Sequence, residues 1–139
     1  VICVGNSLPH LFSNDDILKA LGEMSKLLNE KGILILGQRN FEKLVKFQTR
    51  FFPISFRDDE IFFYVLDYFP KKIVFNVIDL EINTKKFTVY STEYNPLKKD
   101  VLVNFLEKTG FTIVQFYQDH QFNKFNIETS DDLIIICKK

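Results

Sequence analysis

Two short polar segments carry the residue types best suited to hold a small ligand. Gly5–His10 follows the apolar run Val1–Val4, and Gly37–Asn40 follows the apolar run Ile33–Leu36. Their asparagine, histidine, glutamine and arginine side chains can hydrogen-bond to a polar ligand or pair with its charge. A polar, glycine-containing loop between a buried strand and a helix is where open α/β sheets place their ligands.

The residues between these segments predict the elements that position them. Val1–Val4 is apolar on both faces, which is typical of a central parallel strand. Ser13–Asp16 offers N-cap candidates and first-turn acids for a helix, and Gly32 is expected at its end as a left-handed C′ residue. Strand, helix and strand at this spacing form a βαβ unit with a right-handed crossover. Because both strands then point the same way, Gly5–His10 and Gly37–Asn40 should face one crevice at one edge of the sheet.

The rest of the chain predicts strands added to this unit. Phe41–Thr49 is a short helical candidate, and a helix with apolar positions from Leu97 to Leu106 is stopped by Gly110. Turn signals separate the remaining β-rich segments, which are Ile61–Phe69, Ile73–Asp79, Phe87–Thr92, Thr112–Tyr117 and Leu133–Cys137. We therefore predict an α/β fold with a mostly parallel sheet, flanking helices and an antiparallel last strand. An antiparallel β-meander is inserted within residues 48–94, and we expect this region to shape a substrate pocket.

Composition excludes several classes of function. The 139 residues include 18 Lys and Arg against 18 Asp and Glu, so no basic excess indicates nucleic acid. Cys3 and Cys137 lie in apolar runs, outside any Cys-x-x-Cys or Cys/His cluster, which predicts buried thiols of a reduced, cytoplasmic protein without a metal site. No apolar run approaches the ~18 residues that a membrane-spanning helix needs. A small molecule is the partner that we expect.

Each candidate residue also has a purely structural interpretation. Asn6 could be a turn residue that tolerates a left-handed backbone. His10 could pack on the following helix, and Arg39 could pair with Glu42. The position of these residues at strand ends favours ligand binding for Asn6 and leaves both interpretations open for His10 and Arg39.

Two other charged groups look catalytic but are better explained as solvated loops. The carboxylates of Arg57–Glu60 are adjacent in sequence and do not converge on one point. Asp119 and His120 are neighbours, and neighbours on an extended chain face opposite ways. We predict that neither group belongs to a site.

Two motifs and several longer segments carry a resemblance to a known family. The motifs are Asn6–Leu11, with the pattern Asn-Ser-x-x-His-Leu, and Arg39–Phe41, with the pattern Arg-Asn-aromatic. The longer segments span 1–11, 27–32, 33–44, 105–117 and 133–139. Together they resemble the C-terminal half of a class I S-adenosylmethionine-dependent methyltransferase. The nearest pattern is that of the glycine and sarcosine N-methyltransferases, which carry these motifs after their fourth and fifth strands.

The resemblance implies a Rossmann-like sheet and roles for particular residues. Val4, through its backbone carbonyl, Gly5 and His10 would contact S-adenosylmethionine, with Gly5 also facing the substrate amine. Asn6 would be the catalytic residue, because its amide carbonyl can aim an amine lone pair. Arg39 would bind a substrate carboxylate with its planar fork. Among the tyrosines that hold the substrate, Tyr90 is our candidate, with Tyr64, Tyr68 and Tyr94 as alternatives. The implied activity is methyl transfer to a small molecule, first of all to an amine nitrogen.

The chain also departs from the family pattern. It opens on Val1 inside a strand, and it contains neither the glycine-rich turn nor the ribose-binding acid that hold most of the cofactor in such enzymes. Gly37 and Gln38 stand where the glycine N-methyltransferases have an acid and a histidine before the arginine. We therefore predict that residues 1–139 form a partial methyltransferase domain without its N-terminal cofactor-binding half, and that this fragment is inactive alone.

A partial domain leaves a strand edge unpaired. The edge of Val1–Val4 is short, apolar and unprotected by charge, so it invites pairing with another chain. This predicts aggregation or dimerisation of the isolated fragment and leaves a homo-oligomer open. The alternative function is a truncated, non-catalytic α/β module that binds another chain.

Overall fold

The computed structural model describes residues 1–139 and contains two four-stranded sheets. Three α-helices and a 3₁₀ turn at Leu8–His10 connect and cover them. The α-helices are α1 (Asn14–Leu27), α2 (Phe41–Phe47) and α3 (Lys99–Lys108). The strands are β1 (Ile2–Cys3), β2 (Ile33–Arg39), β3 (Ser55–Arg57), β4 (Glu60–Phe69), β5 (Lys72–Glu81), β6 (Phe87–Tyr94), β7 (Thr112–Tyr117) and β8 (Asp132–Lys138).

The first sheet has the strand order β1-β2-β8-β7. β1 runs parallel to β2, with Ile2 opposite Ile35, and β8 lies antiparallel between β2 and β7. Three strands therefore share one direction and the last strand opposes them. This confirms the predicted α/β fold with an antiparallel closing strand.

Helices α1 and α3 cover one face of this sheet. Ser13 caps α1 by accepting the Asp16 N–H at 3.0 Å, so the helix begins where the sequence predicted it. Ile17 and Leu21, one turn apart, then point to the sheet and are fully buried. Their partners in the main core are Leu34, Leu36, Leu102, Phe105, Leu106, Leu133, Ile135 and Cys137.

The second sheet is the predicted antiparallel meander, with strand order β3-β4-β5-β6. β3 is an additional edge strand that the sequence did not reveal, because its three residues are too few for a periodic pattern. Leu66 and Ile73, from the inner face of the meander, pack against Phe41 and Leu44 of α2 in a second small core. The meander thus packs against α2, which directly follows β2 of the first sheet.

The fully buried Asn40 fixes the start of α2. Its Oδ1 accepts the Lys43 N–H at 3.3 Å, and its Nδ2 donates to the carbonyls of Ile127 and Ser130 at 2.8 and 2.9 Å. One side chain therefore joins the helix to the long connection between β7 and β8.

The predicted end of the first helix is wrong in detail. α1 ends at Leu27, and Lys31 rather than Gly32 has the left-handed backbone, with a φ of 62°. Gly32 is needed for space, since a Cβ there would lie 2.8 Å from the Asn29 carbonyl oxygen.

The prediction of buried thiols is met in full by Cys137 and only in part by Cys3. Both are free, Cys137 is fully buried and Cys3 is half-buried. Desolvation raises the pKa of Cys137 to about 12, so its side chain stays a neutral thiol. None of the three helices combines the length and the apolar character that crossing a bilayer demands.

The other face of the first sheet carries no helix. Ile2, Ile33 and Val114 on this face are 70%, 46% and 46% exposed. β1 is the edge strand of the sheet and has no neighbour on its second side. Apolar side chains and unpaired backbone groups are therefore exposed together.

We expect the isolated 1–139 polypeptide to self-associate through this open face and edge. The double substitution Ile2→Lys and Ile33→Lys should shift it towards monomer, because charge opposes burial of the face. The measurement is molar mass by size-exclusion chromatography with light scattering. Leu27→Lys is the matched control, since Leu27 is 76% exposed on α1, away from the face. A monodisperse wild-type monomer would contradict this expectation.

Candidate functional site

The polar loop after β1 is a tight turn. Gly5 and Asn6 both have left-handed backbones, with φ values of 72° and 63°, and Ser7 Oγ closes the turn by donating to the Val4 carbonyl at 2.8 Å. Asparagine tolerates this conformation better than most residues. The structural interpretation of Asn6 as a turn residue therefore holds, and the turn also sets the direction of its side chain.

Asn6 and Arg39 meet directly. The Asn6 Oδ1 accepts the backbone N–H of Arg39 at 2.6 Å, which joins the end of β1 to the end of β2. The two polar segments therefore share one edge of the sheet, as the parallel βαβ unit predicts. One lone pair of this oxygen is used in the contact, and the Asn6 amide nitrogen makes no hydrogen bond within the chain.

The Arg39 side chain is held by Asp132 rather than by Glu42. Arg39 and Asp132 are directly opposite each other in the β2–β8 ladder, and Arg39 Nη1 lies 2.9 Å from Asp132 Oδ1. Glu42 instead accepts the backbone N–H of Lys99. The guanidinium carbon also lies 6.0 Å from the ring centre of Phe52. No other side-chain nitrogen of Arg39 is hydrogen-bonded, so part of its fork is free for a ligand.

Two cavities share Asn6 and Arg39 in their walls. The first, of about 260 Å³, is polar and lies at the ends of β1, β2 and β8. It is bordered by Val4, Gly5, Asn6, Gly37, Gln38, Arg39, Asp119, His120, Asp132 and Ile134. Two carboxylates therefore face a space whose permanent positive charge comes from Arg39 alone.

The second cavity, of about 290 Å³, is apolar and lies between α2 and the meander. It is bordered by Asn6, Arg39, Phe41, Leu44, Phe52, Pro53, Tyr64, Leu66, Phe75 and Tyr94. Arg39 is the one charged residue of this wall. The two cavities thus differ in the sign of the charge on their walls. The carboxylates of the polar cavity favour a cation, and the guanidinium in the wall of the apolar cavity favours an anionic group.

Tyr94 closes the apolar cavity on the side of the 3₁₀ turn. Desolvation raises the pKa of its phenol, and the positive charge of Arg39 lowers it by less. Tyr94 is therefore a neutral hydroxyl at physiological pH and does not act as a phenolate base.

The remaining candidates lie as follows. Val4 and Gly5 border the polar cavity. His10 borders neither cavity; its ring lies 4.9 Å from the Tyr94 ring, and its Nδ1 is 3.4 Å from Thr92 Oγ1. Tyr90 is 60% exposed on β6 and borders neither cavity, while Tyr64 and Tyr94 border the apolar one. Gln38 is buried and donates to the Leu97 carbonyl at 2.6 Å, so its amide supports the chain before α3.

Sequence reasoning missed three ionisable residues at the site. Asp119 and His120 border the polar cavity, although their pattern predicted a solvated loop. The Asn123 amide, donating to Asp119, holds the pKa of that carboxyl below its ordinary value. Asp132 lies one residue before the predicted closing strand, and its place opposite Arg39 follows from the β2–β8 register. No short sequence pattern around Asp132 indicates how β8 is aligned with β2.

The chain is similar to known methyltransferases in sequence and in fold. A glycine/sarcosine N-methyltransferase from Aphanothece halophytica is 30% identical over 142 residues, which cover 100% of this chain and 51% of that protein. Two solved structures each align with 99% of this chain at 14% identity. An S-adenosylmethionine-dependent methyltransferase from Clostridium acetobutylicum gives a TM-score of 0.79 over 56% of its length. The CcbJ methyltransferase from Streptomyces caelestis gives 0.83 over 58% of its length.

No protein-family model matches the chain. The chain spans about half the length of the curated relative and of the two solved structures. The solved structures establish a Rossmann-like methyltransferase fold. Over its whole length, the chain resembles class I S-adenosylmethionine-dependent methyltransferases, and the glycine/sarcosine N-methyltransferases among them, as its two motifs predicted.

Proposed function

We propose that the full-length protein containing this chain transfers a methyl group from S-adenosylmethionine to the amine nitrogen of a small molecule that bears a carboxylate. The observation that carries this proposal is the contact of Asn6 Oδ1 with the Arg39 N–H at 2.6 Å. This contact fixes the Asn6 amide beside the Arg39 backbone, and Asp132 holds the Arg39 guanidinium with part of its fork free, so both groups lie where the polar and the apolar cavity meet. The similarity to a glycine/sarcosine N-methyltransferase supports an amine as acceptor.

The charges of the two cavities orient the reactants. S-adenosylmethionine, when bound, supplies a methyl group activated by a positively charged sulfonium. Asp119 and Asp132 make the polar cavity the favourable side for that positive charge. Arg39 makes the apolar side favourable for the acceptor carboxylate, which its free nitrogens can bind. The amine then lies between them, beside Asn6.

The residues at the end of β1 fit a cofactor placed on the polar side. Val4 and Gly5 border that cavity, and Gly5 has no side chain to obstruct a close approach. The Val4 carbonyl uses one lone pair for Ser7 Oγ and retains the second for a ligand. His10 acts more indirectly in this proposal, by holding the 3₁₀ turn against Thr92 and Tyr94 of the meander.

The chemistry that these residues must supply is positioning. The amine nitrogen has to be neutral, with its lone pair directed at the methyl carbon, and the second lone pair of Asn6 Oδ1 can accept an N–H that sets this direction. S-adenosylmethionine, when bound, would supply the methyl carbon and keep the electron pair of the C–S bond on sulfur, and the open polar cavity would give the amine proton a path to solvent. Orientation of two bound reactants can provide most of the acceleration.

We also infer that the region 48–94 sets acceptor specificity. Its residues make up most of the apolar wall: Phe52, Pro53, Tyr64, Leu66, Phe75 and Tyr94.

Two free cysteines, one of them fully buried as a thiol, fit a reducing cytoplasmic compartment.

The substitution Arg39→Lys tests the carboxylate contact in the full-length protein. Lysine keeps the charge but loses the planar fork, so KM for the acceptor should rise at least tenfold while KM for S-adenosylmethionine changes less than twofold. Steady-state kinetics with each reactant varied separately is the measurement. Arg50→Lys is the matched control, because Arg50 pairs with Asp67 and borders neither cavity. Equal effects on both KM values would show that Arg39 does not select the acceptor.

The substitution Asp132→Asn tests the polar cavity as the sulfonium side. S-adenosylmethionine and S-adenosylhomocysteine differ by the methyl group and one positive charge. Removing a nearby negative charge should therefore reduce the preference for S-adenosylmethionine about threefold. Isothermal titration of both compounds against the full-length protein measures the ratio of their Kd values. Asp131→Asn is the control, since Asp131 is exposed and pairs with Lys43. An unchanged ratio in the Asp132 variant would place the sulfonium elsewhere.

A further inference from the structure

We infer that the methyl acceptor is an α-amino acid or a close analogue with an apolar side group, of leucine or phenylalanine size, and that this group occupies the apolar cavity. The inference rests on the proposed function and goes beyond it by naming the acceptor class. It departs from the substrates named for the similar N-methyltransferase, glycine and sarcosine.

The size of the cavity is the first argument. The cavity is open to solvent on one side and has a volume of about 290 Å³, whereas one water molecule takes up about 30 Å³ in the liquid. Glycine consists of an amine, a methylene and a carboxylate, and in the proposed function its amine would lie beside Asn6 and its carboxylate on Arg39, at the border of the cavity. Nearly all of the interior would then be left to water.

The wall is a poor environment for that water. The rings of Tyr64 and Phe75 stack with centroids 6.0 Å apart and planes 9° from parallel, and Phe75 and Tyr94 follow at 6.2 Å and 29°. The Tyr64 hydroxyl is turned away to Ser55 Oγ at 2.7 Å, so its ring, not its polar tip, is available to the cavity. Water between aromatic faces has few partners, and an apolar group that displaces it gains affinity.

The position of the polar residues completes the argument. Leu66 and Phe41 are 5% and 1% exposed in the wall, and Arg39 is the one charged residue that borders the space. An amino acid whose carboxylate binds Arg39 and whose amine lies beside Asn6 must direct its side group away from both. The remaining wall of the cavity is aromatic and aliphatic, which is the composition that binds an apolar group.

The test compares acceptors with the full-length protein and S-adenosylmethionine. Glycine, sarcosine, alanine, leucine and phenylalanine are assayed for formation of S-adenosylhomocysteine and of the N-methyl product. We expect kcat/KM for leucine or phenylalanine to exceed that for glycine at least tenfold, as burial of an apolar side group implies. Higher kcat/KM for glycine or sarcosine than for either would overturn the inference while leaving the proposed function intact. Methylation of no amine would instead refute the proposed function.

A variant that fills the cavity provides an independent check. Leu66→Phe should lower kcat/KM for phenylalanine at least tenfold and leave alanine within about threefold, because it takes space only from the side group. Val65→Phe is the control, since it introduces the same phenyl ring on the same strand but on the opposite face of the meander. Thermal unfolding verifies that each variant folds, and Leu44→Phe, at another wall position, replaces Leu66→Phe if it does not. Equal losses for alanine and phenylalanine would contradict the inference.

Discussion

The parallel pairing of β1 with β2, closed by the Asn6–Arg39 hydrogen bond, is the constraint on which the site depends. Parallel pairing brings two chain ends to the same edge, although more than thirty residues separate them in sequence. The left-handed turn at Gly5 and Asn6 then bends the first end back, so that its amide reaches the backbone of the second. Without that turn the amide would follow the strand direction, and the two cavities would lose their common wall.

The electrostatics of the site follow from a second pairing, that of β2 with β8. This ladder sets Asp132 opposite Arg39, so one guanidinium nitrogen is paired with a carboxylate and the others remain available to a ligand. Both side chains are nearly half exposed, so the ion pair adds little to stability. The ion pair instead determines the charge of each cavity: the carboxylate of Asp132 borders the polar cavity alone, and Arg39 is the one charged residue that borders the apolar cavity. A symmetric environment around Arg39 could not distinguish a positively charged donor from a negatively charged acceptor group.

Local patterns in the sequence were sufficient for the framework and insufficient for side-chain neighbours. Apolar periodicity identified the βαβ unit and the meander, and the motif containing Asn6 pointed to the sheet edge at which the two cavities lie. Asp132, Asp119 and His120 could not be found, because they reach the polar cavity through strand register and loop path, which depend on distant residues. The same limit applies to the tyrosines. Tyr90 and Tyr94 share one face of β6, and only the approach of α2 decides that Tyr94 borders the apolar cavity.

Asn40 ties these parts into one mechanical unit. Its amide donates both hydrogens to the segment between β7 and β8 and accepts from the first turn of α2. The connection that carries Asp119 and the helix that carries Phe41 are therefore linked through this buried side chain, and Lys43 and Lys46 of α2 add ion pairs to Asp131 and Glu128 of the same connection. A movement of the helix or of the connection alone would have to break these contacts, so the polar and the apolar cavity should widen and narrow together.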